Sequence, residues 1–427
     1  MASQRFSFKY GKEQLSLSIE HARSIRVLEG APLPPLGDLP QAFLHGITDG
    51  AIGAPLKDRL CPQDKITIVI SDITRFWMRQ DKIVALLTSY LTDTLGIPRE
   101  NIAILVALGT HRPMTEEELK TLVTPEVYAR FAVSNHNCMA DDLVFVGTTA
   151  RGTEVRVNPL CAGRKVIVIS GTVHHLMSGF GGGRKSILPG VSAKSTIVQN
   201  HLHCLHETEP RSADTIGMAK LQHNPVHEDM AEAASFVDPV FGISIVSNAE
   251  GQHCALCCGD FAAAWEQSCR QVHKAFGLPI DHLADVVVVS CGGYPKDLNL
   301  YQAVKSLLNA AQALRPGGTM VFLAQCPEGG GAPDFFDWIH SLDAGTLDRD
   351  LRAAFTIAGY IFYASVEKID RCQVKMLSDI DPSIASRMHL QAFSSLDALL
   401  QTVDFSGKDV YVMPFGGFTV PYLKGSV

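Results

Sequence analysis

The sequence predicts an α/β protein of two domains, with parallel or mixed sheets joined by helical crossovers, and three observations carry that prediction. Short β-branched runs recur along the chain, amphipathic helical stretches lie between them, and the polar residues best suited to chemistry come just after the runs.

Taken in order, the stretch Met1–Glu20 mixes charges with alternating Phe6, Phe8, Leu15, Leu17 and Ile19 and reads as a surface strand. It lacks the apolar core of a signal peptide, so the expected location is the cytoplasm. The runs Ile66–Ile70, Ile102–Val106, Val166–Ile169 and Val286–Val289 are continuously apolar, the pattern of strands covered on both faces. Helices are expected over Asp81–Asp93, Thr115–Leu122 and Leu300–Ala313. A helical segment ends at Phe276-Gly277-Leu278-Pro279 before a fresh strand, which sets the expected boundary. Residues 1–276 would form a cofactor-binding catalytic domain, and residues 277–427 an α/β domain contributing substrate-binding residues. The second would contain Met320–Leu323 and Val410–Met413, with the last strand able to return to the first domain.

A chain of 427 residues exceeds the length at which a single core stops growing, which agrees with two domains. A net charge of −7 without any basic run argues against nucleic acid or an anionic membrane as partner, and leaves a small molecule. Eleven cysteines without framework spacing read as reduced thiols. The pair within Cys254-Ala255-Leu256-Cys257-Cys258 has no second pair at zinc-finger distance and reads as small hydrophobes.

The chemistry-bearing residues cluster at strand ends. Asp72 and Arg75 follow the first run, His111 the second, and His175 with Gly181, Gly182 and Gly183 the third. Tyr301, Gln302 and Lys305 follow the fourth, and ligands of open α/β sheets bind where such turns converge. The glycines would let backbone N–H groups approach a phosphate, with Arg184 and Lys185 beside it. A P-loop would need glycine where Arg184 stands, so the pattern fails as an ATPase signature. Thr115 and Glu118 form a capping box that would fix the turn presenting His111. Arg75 suits a carboxylate or phosphate as a planar fork. In His201-Leu202-His203-Cys204-Leu205-His206, His201 and His203 diverge on a helix, so the run alone makes a poor three-histidine metal site. Tight turns, an ion pair and solvated imidazoles are the purely structural alternatives.

These turns resemble, in order and spacing, the nickel-dependent lactate racemases. The resemblance runs through D-x-T-R at Asp72–Arg75, G-T-H-R-x-M-T at Gly109–Thr115, and H-x-x-x-G-F-x-G-G-x-K-x-I-x-P-G from His175 to Gly190. It continues with Asn200-His201 and with Pro295–Lys305. It implies a two-domain α/β fold with the active site in the interdomain cleft, and nickel held by pyridinium-3,5-bisthiocarboxylic acid mononucleotide, the nickel-pincer nucleotide. Lys185 matches the lysine that carries this cofactor covalently, His201 the protein's nickel ligand, and His111 and His175 the paired acid/bases. Arg75, Gln302 and Lys305, with Tyr301 beside them, match substrate-holding positions, and Asp72 falls in the same cluster.

The implied reaction inverts C2 of a 2-hydroxy acid by reversible hydride transfer through a 2-oxo acid. That route avoids building a carbanion beside a carboxylate, and two histidines serve the two configurations. The sequence departs from the family pattern at Phe76-Trp77, where proline is usual, at Gly181, where Ser or Thr is common, and at the doubled His174. Phe76 and Trp77 adjoin Arg75 and are expected to reshape the pocket, so lactate, malate, an aromatic hydroxy acid and an aldonate all stand as substrates. Cofactor-synthesis enzymes are the implied partners, and a monomer or homodimer the implied assembly. Two rival readings are a phosphate-binding transferase or NTPase using the glycine loop, and a non-catalytic sugar-acid or nucleotide binder of the same fold.

Overall fold

A computed structural model of the chain describes residues 2–248 and 250–425. The chain divides into two compact units: Pro32–Cys204 with Thr215–Ala275, and the chain up to Ala31 with Leu205–Asp214 and everything from Phe276 onward. The single cut expected between residues 1–276 and 277–427 therefore needs correction, because the N-terminal segment belongs with the C-terminal one.

The unit built from Pro32–Cys204 and Thr215–Ala275 holds a six-stranded sheet. Across it lie His253–Gly259, Phe241–Ser247, Lys165–Gly171, Ile66–Ser71, Ile102–Ala107 and Ala132–Asn135. Neighbours are parallel except the edge pair His253–Gly259 with Phe241–Ser247. Ile66, Ile68, Ile70, Ile102, Ile104 and Val106 are buried in one cluster with Ile83, Val84 and Leu87 of the helix Gln80–Ser89, which is why these runs carry no polar face. The chain forms Ile66–Ser71, adds Ile102–Ala107 on one side, then returns to add Lys165–Gly171 on the other. Strand order thus reverses at Ile66–Ser71, the kind of switch point outside whose carboxyl ends open α/β sheets bind ligands.

The second unit holds a six-stranded, all-parallel sheet ordered Gln391–Phe393, Gln373–Leu377, Leu314–Leu323, Ala284–Ser290, Asp409–Met413 and Ser24–Val27. The strands Ala2–Tyr10 and Glu13–Ala22 form an antiparallel hairpin. Their alternation is that of a half-buried pair rather than a surface strand: Phe8, Leu17, Ile19 and Ala22 pack into one core with Val286, Val288, Val321 and Val410. Burying these side chains, at roughly 1.5–3 kcal/mol for each large one, ties the chain's start to strands near its end. The last strand, Val420–Leu423, pairs in parallel with Gly277–Ile280 of the same unit instead of returning to the other. Among the described residues no helix is long and apolar enough to cross a membrane.

Candidate active site

The site is built on the switch point of the first unit. Asp72 ends the strand Ile66–Ser71, is 3% exposed, and caps the short helical turn Ile73–Met78 by accepting the Thr74 N–H at 3.0 Å. The hydroxyl of Thr74 donates to the same oxygen, while the other oxygen takes Nδ1 of His111. Burial alone would raise the Asp72 carboxyl, but its hydrogen bond and charge contact with His111, the Thr74 hydroxyl and the nearby Arg75 hold it below the usual carboxylate range. An ionised carboxylate accepts only, so Nδ1 of His111 carries a proton, and in the neutral form of the ring the lone pair is on Nε2.

His111 owes its place to the turn that follows Ile102–Ala107. Its N–H donates to the Leu108 carbonyl at 2.9 Å, and Gly109, at φ +55°, donates to the Gly190 carbonyl at 2.9 Å. The expected capping box is present, with the Glu118 N–H on Thr115 Oγ1 at 3.2 Å and the Thr115 N–H on Glu118 at 2.9 Å. Arg112 adds a forked pair to Glu118.

His175 and Lys185 face each other after the third strand. His175 lies on the two-residue strand paired with Gly179–Phe180, and its Nε2 is 3.2 Å from Lys185 Nζ. Burial pushes His175 well below an ordinary imidazole, and Lys185, His201, Arg184 and Arg75 around it further disfavour its cation. Lys185, on the turn Gly183–Ser186, is brought down to about 7 by burial and by Arg184 and Arg75. His201 is 2% exposed on the helix Lys194–Leu202 and donates Nδ1–H to the Ile197 carbonyl at 2.9 Å, which leaves the lone pair on Nε2. Burial first and Lys185 second lower it to about 3, so it stays neutral as a metal ligand must. Arg75 is exposed, with Nη1 donating to Thr74 Oγ1 at 3.0 Å, and its charge acts on Asp72, His175 and Lys185 alike.

Other expectations need correction. The glycine loop does not form a phosphate cradle, because the Gly181 N–H donates to the Val173 carbonyl at 2.7 Å and the Gly183 N–H to Ser170 Oγ at 2.8 Å. Its glycines answer to packing. At Gly183, φ +53°, a Cβ would lie 2.4 Å from the Trp265 ring, and at Gly182, φ +73°, 2.7 Å from the Gly171 carbonyl oxygen. Gly181 meets no such limit, its nearest contact being 3.4 Å, so this departure from the family pattern leaves the loop unstrained. Arg184 is 3% exposed and clamps the loop from within, donating to the carbonyls of Phe180 at 3.0 Å and Ser178 at 2.6 Å and to His227 at 2.9 Å. Its guanidinium lies 3.9 Å from the Trp265 ring centre, so it shapes the loop that presents Lys185 instead of reading a phosphate.

Phe76 packs under the Arg79 guanidinium, and with Trp77 it lines a groove of about 540 Å³ together with Leu36, Leu39 and His253. Neither Arg75 nor the histidine–lysine cluster lines that groove, so the two aromatics do not shape a common pocket with Arg75 there. Thr74, Ser178 and Trp265 take part in holding the site but were not assigned roles from sequence. Thr74 and Ser178 sit inside the motifs, whereas Trp265, whose Nε1–H donates to the Gly181 carbonyl at 2.8 Å, lies on a distant helix and carried no signal.

In the second unit, Tyr301, Gln302 and Lys305 occupy the start of the helix Leu300–Ala311, capped by Asn299. Lys305 Nζ donates to Gln302 Oε1 at 2.6 Å and lies 5.8 Å from the Tyr301 ring centre. Cys257 and Cys258 are buried on an edge strand. Among the described residues no three His, Cys, Asp or Glu side chains converge to hold a metal. A neutral buried imidazole beside an amine suits a group that arrives with its own soft donors and is joined through a lysine.

Comparisons with known proteins agree with one another. A family model described as the lactate racemase N-terminal domain matches residues 10–213, and one described as the lactate racemase C-terminal domain matches residues 280–416. The lactate racemase of Lactiplantibacillus plantarum is 29% identical over 364 residues, 83% of each chain. That of Thermoanaerobacterium thermosaccharolyticum is 28% identical over 333 residues, 77% of this chain and 76% of the other. The solved lactate racemase apoprotein from the latter organism superposes with a TM-score of 0.86 at 22% identity, over 98% of this chain and 100% of that one. A Thermotoga maritima crystal structure follows at 0.65 and 20%, over 93% and 100%.

Proposed function

Because the chain belongs to the lactate racemase family, we propose that it is an isomerase that inverts C2 of a small 2-hydroxy acid, lactate or a larger relative such as malate, an aromatic hydroxy acid or an aldonate. The observation that carries this reading is the pairing of His111 with Asp72 after one strand and of His175 with Lys185, coupled to His201, after the neighbouring one, with the Arg75 charge acting on both groups.

In this reading Lys185 carries the nickel-pincer nucleotide and His201 is the protein's ligand to nickel. When bound, that group supplies an electrophilic carbon able to take a hydride from C2 and give it back. Arg75 holds the substrate carboxylate through its fork, which fixes C2 and leaves the hydroxyl to the histidines. His111, with its proton on Nδ1 and Asp72 behind it, accepts the hydroxyl proton of one enantiomer at Nε2, and the Asp72 charge stabilises the imidazolium that forms. The substrate is then a 2-oxo acid, planar at C2. His175 serves the oxygen in the opposite configuration, so the two rings divide the two hands of the substrate. The parts given to Tyr301, Gln302 and Lys305, holding substrate oxygens, and to the enzymes that supply the nucleotide, follow from the family resemblance.

The test is intact-mass analysis of protein made in cells able to build the cofactor, followed by a screen of 2-hydroxy acids in deuterated water. A mononucleotide-sized adduct on Lys185, and inversion at C2 with the original hydrogen kept, are the expected results. Full deuterium incorporation at C2 would point to proton abstraction and overturn the hydride route.

A further inference from the structure

The direction of the hydrogen bond between His175 and Lys185 follows from the backbone around it. Nδ1 of His175 receives the N–H of Met177 at 3.2 Å and the N–H of Ser178 at 3.3 Å. A ring nitrogen that accepts carries no proton, so the imidazole is neutral and bears its proton on Nε2. That nitrogen stands 3.2 Å from Lys185 Nζ. An ammonium group has three donors and no acceptor, and it would meet the Nε2–H donor to donor, whereas an amine offers a lone pair.

We propose that, before the cofactor is attached, His175 donates its Nε2–H to Lys185 and thereby holds the lysine as a neutral, nucleophilic amine. The use we assign to that amine rests on the reading of Lys185 as the attachment residue, while the protonation state rests on the hydrogen bonds. The charged and titratable groups around Lys185 are consistent with it: Arg184 on the same turn and Arg75 after the first strand are cations that disfavour an ammonium here, and His201 of the helix Lys194–Leu202 is the other titratable group coupled to it. Burial and these cations together bring the lysine to about 7.

Attachment through an activated carboxyl or thiocarboxyl derivative uses the lone pair directly. The nitrogen attacks the electron-poor carbon, the new C–N bond forms, the leaving group departs with its bonding electrons, and one N–H proton passes to water. The amide or thioamide nitrogen that results is no longer basic. The Nε2–H of His175 thereby loses its acceptor and is released to the oxygen of the hydroxy acid. One histidine would then serve in sequence as the positioning residue for loading and as a substrate-facing group in turnover.

The test uses the full chain purified without cofactor and trace-labelled with acetic anhydride across about pH 5 to about pH 11, spanning the ordinary lysine range. Acetylation of Lys185 is read by peptide mass. Burial, Arg184 and Arg75 bring the lysine to about 7 and the His175 donor adds to them, so the expected midpoint is about 7 or lower. In His175→Leu, which removes the donor, the midpoint should rise by about one unit or more, while His175→Gln, which keeps an N–H, should stay within about half a unit of the unaltered chain. A midpoint in the usual lysine range for the unaltered chain, or an unchanged or lower midpoint in the folded leucine variant, overturns the proposal. If circular dichroism shows the leucine variant unfolded, the unaltered chain and the glutamine variant still decide it. A chain that labels as expected but neither takes up nucleotide nor inverts a hydroxy acid would defeat the functional reading and leave this inference standing.

Discussion

Replacing Asp72 by Asn removes a charge without changing shape, and the site geometry sets what should follow. The carboxylate is 3% exposed and accepts Nδ1–H of His111, whose own side chain is 47% exposed. Water therefore reaches the imidazole but cannot stand in for the carboxylate. An amide at this position can turn its NH2 toward Nδ1, which moves the ring proton to Nε2 and leaves no base facing the substrate. Loss of a positioned general base costs on the order of 10²–10⁴ in rate. At 1.36 kcal/mol per factor of ten this is about 3–5 kcal/mol of lost transition-state stabilisation. The assay is the initial rate from each pure enantiomer with the adduct on Lys185 verified by mass. Because inversion needs both histidines and the enantiomers are equal in energy, kcat should fall together in both directions, with KM changed less than about threefold. A kcat within about threefold of the unaltered enzyme, or a loss confined to KM, would refute the assignment of Asp72 as the residue that sets the His111 proton. Stability supplies a second check. The carboxyl is depressed in the folded chain, so its contribution is present above the unfolded carboxylate range and disappears as pH falls through its lower folded value. The Tm gap between the two proteins should be constant near neutrality and close in acid.

Lys185 titrates in the opposite sense, since a lysine lowered to about 7 makes the unfolded chain bind more protons between there and the ordinary lysine range. The unloaded protein should therefore gain Tm from about pH 7 to about pH 9 relative to Lys185→Met, and equal slopes would count against a buried amine. Gly183→Ala should destabilise by about 1–3 kcal/mol in urea titrations, because its Cβ would sit 2.4 Å from Trp265, whereas Gly181→Ala should stay within about 0.5 kcal/mol. Arg184→Met should cost about 2–4 kcal/mol by stripping the donors from the Ser178 and Phe180 carbonyls, and a neutral result would mean that Arg184 is not the clamp of the loop. His201→Ala should leave the Lys185 adduct in place while nickel per chain, measured by mass spectrometry of the metal, falls more than about tenfold.

Much of this molecule was legible before its structure. The runs Ile66–Ile70 and Ile102–Val106 were readable as doubly covered strands because every position is apolar, and both lie inside a core. The capping box of Thr115 and Glu118 was readable because its residues are three apart and local chemistry alone decides it. The strands Phe241–Ser247 and Gln373–Leu377 were not named, because glycine, serine, lysine and glutamine interrupt their pattern. The hairpin at the chain's start was readable as extended, but its burial depends on Val286, Val321 and Val410, far along the sequence.

The same division runs through the site. Which residues are candidates for the chemistry was determined by the sequence, since motif spacing places Asp72, His111, His175, Lys185 and His201 at strand ends or on the helix that follows. What each does with its protons was decided only by the tertiary structure. His111 is an Nδ1 donor because Asp72 arrives from a different strand, and His175 an Nε2 donor because two backbone N–H groups fill its other nitrogen. The glycine–lysine loop, which in one dimension resembles a phosphate cradle, is turned inward by Ser170, Trp265 and Arg184. Residue type sets what a side chain is able to donate or accept, and only the neighbours that folding supplies settle which of those options is taken.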